Sequence, residues 1–97
     1  MSFIQQAPRE FTRYEIERIN RNQLGVYGLF VMGRWIYIGK GDIRQRLLDH
    51  LNGDNFNILK FQNIYWVVEI IPNKIEMSNR EKQLIVELQP ICNQKIG

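Results

Sequence analysis

Gly25-Val26-Tyr27 and Tyr37-Ile38-Gly39 form an inverted pair, each placing a glycine two residues from a tyrosine. On neighbouring strands of a tight hairpin, two such phenols can converge on one sheet face if the register allows. Arg46 and His50 are four residues apart, which stacks them on one side of a helix. Glu81 shares the apolar stripe of Leu84, Ile85 and Leu88, so its carboxylate is aimed at the core side of its helix, where it needs a partner. A group that handles a water proton, a cation for developing charge and a carboxylate able to hold a metal ion are the parts that phosphodiester hydrolysis requires.

Each residue also has an ordinary use. Isolated tyrosines are more often amphipathic core residues whose hydroxyls reach a partner. Arg46 alone reads as a solvated helix charge and His50 alone as a boundary histidine. Glu81 has a specific rival role, because Ser78 and Glu81 have the spacing of a capping box that would tie up the carboxylate on backbone. Trp35 and Trp66 have the chemistry to stack on bases, but core packing is their commoner use. Lys40, Arg44 and Arg34 gather around the expected hairpin and helix start, where they would neutralise phosphates or serve solubility.

The elements that must position these groups are legible in the hydrophobic pattern. Phe11, Thr12, Glu15 and Ile16 stand where a hydrophobic staple and capping box predict a helix from Thr12 to about Asn22, with Ile16 and Ile19 inward. The segment before it, containing Pro8, reads as an arm or frayed terminus. Residues Gly25–Val31 and Trp35–Gly39 predict a hairpin about Met32-Gly33-Arg34, with Tyr27, Leu29 and Val31 on one face. On the second strand Trp35 and Tyr37 should face one side, Ile36 and Ile38 the other. Asp42 is a good N-cap for a helix carrying Ile43, Leu47 and Leu51 until Asn52-Gly53. Phe56, Leu59 and Lys60 allow a short helix, and Ile64–Ile71 predicts a buried third strand ending at Pro72-Asn73. Met77, Ser78 and Glu81 mark the start of a last helix that stops before Pro90. The sum is an α/β sandwich built on a three-stranded sheet, with an extra N-terminal helix.

With these elements in place, the motifs resemble those of the GIY-YIG nuclease family, valine standing for the usual isoleucine in the first. The resemblance continues through an aliphatic residue, an arginine and a histidine at Ile43, Arg46 and His50, a glutamate on a later helix at Glu81, and an asparagine soon after a proline at Pro90 and Asn93. It spans residues 25–93 of a single domain, 1–97, leaving residues 1–22 as arm and helix. It implies a metal-dependent endonuclease. In it Tyr27 accepts or relays the proton of the attacking water, Tyr37 orients water or phosphate, and Arg46 stabilises the phosphate. His50 assists, Glu81 holds Mg²⁺ or Mn²⁺, and Gly25, Gly39 and Asn93 support. An ion that dehydrates reluctantly and shares phosphate oxygens needs only one protein carboxylate. A phenol of ordinary pKa, about 10, requires help to act as a base.

Composition is compatible with that chemistry. The chain has 97 residues, 44% hydrophobic and 24% charged, which excludes wholesale disorder and allows one core. Its longest apolar run is interrupted by Glu69 and is too short to span a bilayer. No basic-then-apolar leader is present at the start, so the expectation is a cytoplasmic protein without membrane contact. Cys92 is alone, which excludes an internal disulfide and offers no zinc set. A formal charge of +3, with eight arginines among 13 basic residues, favours a polyanion without requiring one. DNA, duplex or branched, is the leading substrate. An RNA- or structure-directed nuclease, and a non-cutting nucleic-acid- or protein-binding domain of the same fold, remain alternatives. Specificity would come from the N-terminal helix and loops, from shape, or from a partner protein or homodimer.

Overall fold

Met32 and Gly33 adopt φ angles of 48° and 82°, the paired left-handed values of a type I′ turn, and they close the expected hairpin. In the computed structural model, which describes residues 3–93, the chain runs β1 (Arg9–Glu10), α1 (Arg13–Ile16), β2 (Leu24–Val31), β3 (Arg34–Asp42), α2 (Ile43–Leu51), a 3₁₀ turn (Ile58–Lys60), β4 (Tyr65–Ile70), α3 (Lys74–Leu88) and a last 3₁₀ turn (Ile91–Asn93). The sheet has four strands in the order β1-β4-β2-β3, all antiparallel.

The fourth strand corrects the three-stranded expectation, and it comes from the arm. Phe3 stacks on Trp35 with ring centroids 5.2 Å apart. Gln6 uses its carboxamide as a strand would, accepting from Val68 N at 2.9 Å and donating to Val68 O at 2.7 Å. Arg9 lies over the Trp66 ring at 4.8 Å. The described part of the arm is therefore anchored by contacts that have no local periodicity.

Two helices start or stop away from their expected bounds. In α1 Thr12 caps the Glu15 amide, but the helix ends at Ile16 rather than near Asn22. The chain tightens there into bonds from Arg18 N to Glu15 O and from Ile19 N to Ile16 O, which bring Ile19 under the sheet beside Ile16. Asn22, at φ 63°, then turns the chain into β2. Helix α3 begins at Lys74, where Asn73 accepts from the amides of Ile75 and Glu76. Ser78 and Glu81 thus lie inside the helix, and the capping box does not form.

Two cores lie on the two sheet faces. One, under α1, α2 and the first 3₁₀ turn, contains Ile16, Tyr27, Leu29, Ile36, Ile43, Leu47, Ile58 and Trp66. The other, under α3 and the arm, contains Phe3, Val26, Ile38, Val67, Met77 and Leu84. Tyr27, Leu29 and Val31 share a face as expected. Trp35 and Tyr37 do not: the register steps from Leu29↔Tyr37 to Phe30↔Trp35, leaving Ile36 as the extra residue of a bulge. Strict alternation fails at that point. Ile36 joins Tyr37 on the α2 side, and Trp35 turns to the α3 side. Among the described residues no helix is long and apolar enough to cross a membrane.

Glu69, which breaks the apolar run, ties three parts of the fold together. Its buried carboxylate accepts two bonds from Arg80 of α3, each 2.9 Å, and one from Ile4 N, also 2.9 Å. Burial pushes its pKa up, but Arg80 and the Ile4 amide more than offset this, so the net shift is downward. Its contribution to stability is therefore present above the ordinary glutamate pKa of about 4.3 and is lost as pH falls through the lower folded value. Arg80→Ala should destabilise the fold by about 3 kcal/mol by leaving that carboxylate buried without its main partner. Denaturant unfolding at pH 7 measures it, and the loss should shrink in acid.

Candidate active site

The hairpin register sets Tyr27 directly opposite Gly39. A Cβ on Gly39 would collide with the Tyr27 hydroxyl and come within 2.9 Å of the Tyr37 ring, so the second motif's glycine is the floor on which the first motif's tyrosine lies. Gly25 is required for a similar reason, since a Cβ there would strike the Glu69 carbonyl oxygen and press on Ile43. The two phenols converge with ring centroids 6.3 Å apart. Tyr27 is sealed from solvent, whereas Tyr37 is only partly buried.

Helix α2 brings its side chains onto the same face. His50, 1% exposed, places Nε2 2.7 Å from the Tyr27 hydroxyl and packs edge-on to Tyr37 at 4.9 Å. Its Nδ1 is 2.7 Å from Asp54 Oδ1. A carboxylate only accepts, so Nδ1 must carry the proton, and in the neutral ring Nε2 is then a bare acceptor. Tyr27 therefore donates to His50, and His50 donates to Asp54. Arg46 lies over Gly41 and reaches Asp49 Oδ2 at 3.2 Å and Asp54 Oδ2 at 3.5 Å. Asp54 accordingly holds both the histidine and the arginine.

Titration behaviour follows from these surroundings. Burial, then the neighbouring Tyr37, push the Tyr27 phenol well above its ordinary value, with Arg46 pulling the other way. Burial also raises Tyr37, opposed by Arg46 and assisted by the negative charge of Glu81. His50 is shifted below 6.5 because burial outweighs the support of Asp54. For Arg46 burial is outweighed by Tyr27, Asp54 and Tyr37, which keep the guanidinium charged.

Glu81 comes from the opposite layer, on α3, and its carboxylate stands at the β3 edge with Oε1 3.7 Å from Lys40 Nζ. Lys40 also donates to Ser78 Oγ at 2.8 Å, so it retains a partner when Glu81 is engaged elsewhere. Among the described residues no group of three or more His, Cys, Asp or Glu side chains is disposed to hold a metal. One partly exposed carboxylate beside open solvent suits an ion that keeps most of its waters, as Mg²⁺ does, and does not suit zinc.

No known family model matches the chain, and no curated protein matches it in sequence. Solved structures do match. The GIY-YIG N-terminal endonuclease domain of UvrC from Thermotoga maritima, bound to magnesium as its catalytic divalent cation, aligns with a TM-score of 0.68 at 24% identity, covering 82% of this chain and 97% of that one. A tyrosine-to-phenylalanine mutant of that domain, also holding its catalytic divalent cation, aligns with a TM-score of 0.69 at 22% identity, over 84% and 97% of the two chains. The chain has the GIY-YIG fold.

Within that fold the structure brings Tyr27, Tyr37, Arg46 and His50 together on one face and sets Glu81 at the edge they share. Asn93 lies on the far side of β3, where its carboxamide accepts from Ile38 N at 2.7 Å and donates to Ile38 O at 2.8 Å. It secures β3 at the central residue of the second tyrosine-bearing motif. The three basic residues expected to gather are dispersed. Lys40 joins Glu81, Arg44 turns to the other flank of α2, and Arg34 sits by the hairpin turn, six residues or roughly 20 Å along β3 from Lys40. Sequence reasoning missed Asp54 and Asp49. Their signal was present as helical spacing, four residues after His50 and three after Arg46.

Two outcomes follow from this geometry. In a proton titration by NMR, His50 should titrate below 6.5, and Asp54→Ala should lower it further by removing the group that opposes burial. Gly39→Ala should cost about 1–3 kcal/mol of stability through overpacking against Tyr27, measured by denaturant unfolding.

Proposed function

We propose that this protein is a metal-dependent endonuclease that hydrolyses phosphodiester bonds of DNA. The observation that carries the reading is the chain from the buried Tyr27 through the buried His50 to the exposed Asp54, set beside Tyr37 and Arg46, with the Glu81 carboxylate at the same strand edge. A structural core has little use for a hydrogen-bonded phenol, imidazole and carboxylate in series next to a charged guanidinium.

The exposure of the two phenols suggests an order among them. Tyr37, the outer one, meets the attacking water, and Tyr27, the inner one, is the route inward. As water attacks phosphorus, its proton is taken up at the tyrosine pair, and the Tyr27 proton passes to His50 Nε2 along their hydrogen bond. The imidazolium so formed is stabilised by Asp54, which also fixes the tautomer. Arg46, steadied by Asp49 and Asp54, binds the phosphate oxygens and meets the charge that grows on them. Glu81 would hold Mg²⁺, which when bound supplies charge neutralisation at the departing oxygen. Because both phenols are held above their ordinary pKa, neither starts as a phenolate, and the proton needs the histidine as its final acceptor.

The decisive assay is nicking of supercoiled plasmid by the purified protein with Mg²⁺ or Mn²⁺, beside EDTA, Glu81→Ala and Arg46→Ala controls. Nicking should require metal and fall by about 10²–10³ in the arginine variant. It should also decline in acid with a midpoint below 6.5, because protonated His50 cannot accept, and the His50→Ala variant should lack that limb. Metal-dependent nicking that survives both the Glu81 and Arg46 substitutions would sink the assignment. DNA binding without nicking under any metal would replace it with a binding domain. RNA and flap substrates run in parallel decide the nucleic-acid class.

A further inference from the structure

On the flank of α2 away from Arg46, the loop before β2 and the first turn of the helix enclose a cavity of about 230 Å³ lined by Arg21, Asn22, Asp42, Arg44, Gln45 and Leu48. Both arginines lack a hydrogen-bond or carboxylate partner among the described residues, and the Arg44 Nε is shut away from solvent with no acceptor. That Nε has no surface for a ligand in the cavity to meet, so what Arg44 offers there is the rest of its guanidinium, which has no protein partner among the described residues. The cavity's one carboxylate, Asp42, is turned to the Gln45 backbone amide at 3.3 Å, and the Gln45 side chain is turned outward to Asp49 at 2.9 Å. What the pocket offers is two unpaired planar forks at the start of a helix, in a space several waters wide. That is the chemistry of an oxyanion site, and phosphate matches the fork better than a point donor would.

We propose that this pocket binds a backbone phosphate of the DNA substrate, away from the one that is cut. The proposal rests on the nuclease reading and extends it to how the strand is held. Arg44 and Arg46 are two residues apart, hence on nearly opposite flanks of α2. A strand crossing the helix start from one to the other must extend about 10–12 Å, which is roughly two phosphates, because the backbone winds around the duplex and each step is longer than its axial rise. The pocket therefore grips the backbone about two phosphates from the scissile one.

Binding of a labelled duplex, followed by fluorescence anisotropy in EDTA over a salt series, tests this on the full chain and on Arg44→Ala, Arg21→Ala and Arg44→Lys, each checked by its circular dichroism melt. The log–log salt slope should become shallower by about 0.9 in Arg44→Ala, the signature of one lost phosphate contact. It should also weaken in Arg21→Ala, whose residue is exposed, and be retained in Arg44→Lys. A single methylphosphonate about two positions from the cut should reproduce the loss in the unmodified protein and add nothing in Arg44→Ala. Unchanged slopes in Arg44→Ala and Arg21→Ala, with an unmodified protein that binds and nicks DNA, overturn the pocket and leave the nuclease standing. Stabilisation of the unmodified protein by inorganic phosphate, with unchanged duplex slopes, assigns the pocket to the free ion and also overturns the proposal. An unmodified protein that neither binds nor nicks duplex overturns both.

Discussion

A phenol hydroxyl closed off from water must be given an acceptor by the protein itself, and most of this structure can be read as the means of giving one to Tyr27. The acceptor is His50 Nε2, and it works only if the ring's other nitrogen keeps the proton, which Asp54 ensures. For the hydroxyl to lie flat against β3, the residue opposite must be glycine. For His50 to arrive from above, α2 must start immediately after β3, and it does, at Asp42-Ile43. The hairpin turn, the glycine, the helix start and the aspartate are four local choices that satisfy one donor.

Strand β3 is where the two layers meet chemically. Phenols, arginine and histidine approach it from the α2 side, while Glu81 and Lys40 stand at its edge from the α3 side. An edge strand is the only place in a three-layer fold where side chains from both outer layers can face a common space without crossing the sheet. The bulge at Ile36 adds to this, because it lets Tyr37 share a face with its neighbour and sends Trp35 to the opposite core, where Phe3 stacks on it.

Much of this was legible before any coordinates. The hairpin, the helix after Asp42 and the buried third strand follow from local periodicity and spacing, which report on elements that make their own contacts, whereas Tyr27, Tyr37, Arg46, His50 and Glu81 stood out as a set only through the resemblance of the motifs. Asp49 and Asp54 were overlooked at ordinary helical spacing, and the rest of what escaped depends on contacts distant in sequence. Gln6 pairs with Val68, Ile4 with Glu69, and the partner of Asn93 is Ile38. No window of a dozen residues contains both members of any of these pairs. The capping box at Ser78 and Glu81 misled for a related reason, since Asn73 supplies an equivalent cap five residues earlier and the longer helix buries Met77 and Leu84 together. Alternation along β3 failed because a bulge leaves no mark in composition.

Gln6 and Asn93 perform the same act on opposite sides of the sheet. Each lays a carboxamide, the side-chain image of a peptide group, against the outward N–H and C=O of a single strand residue, Val68 on β4 and Ile38 on β3. At Val68 and Ile38 the groups through which another chain would zip onto a sheet are thereby already engaged, and β1 adds only two residues, one basic and one acidic. Growth of the sheet by addition of a foreign strand, whether by a partner or by another copy in aggregation, is blocked at those points.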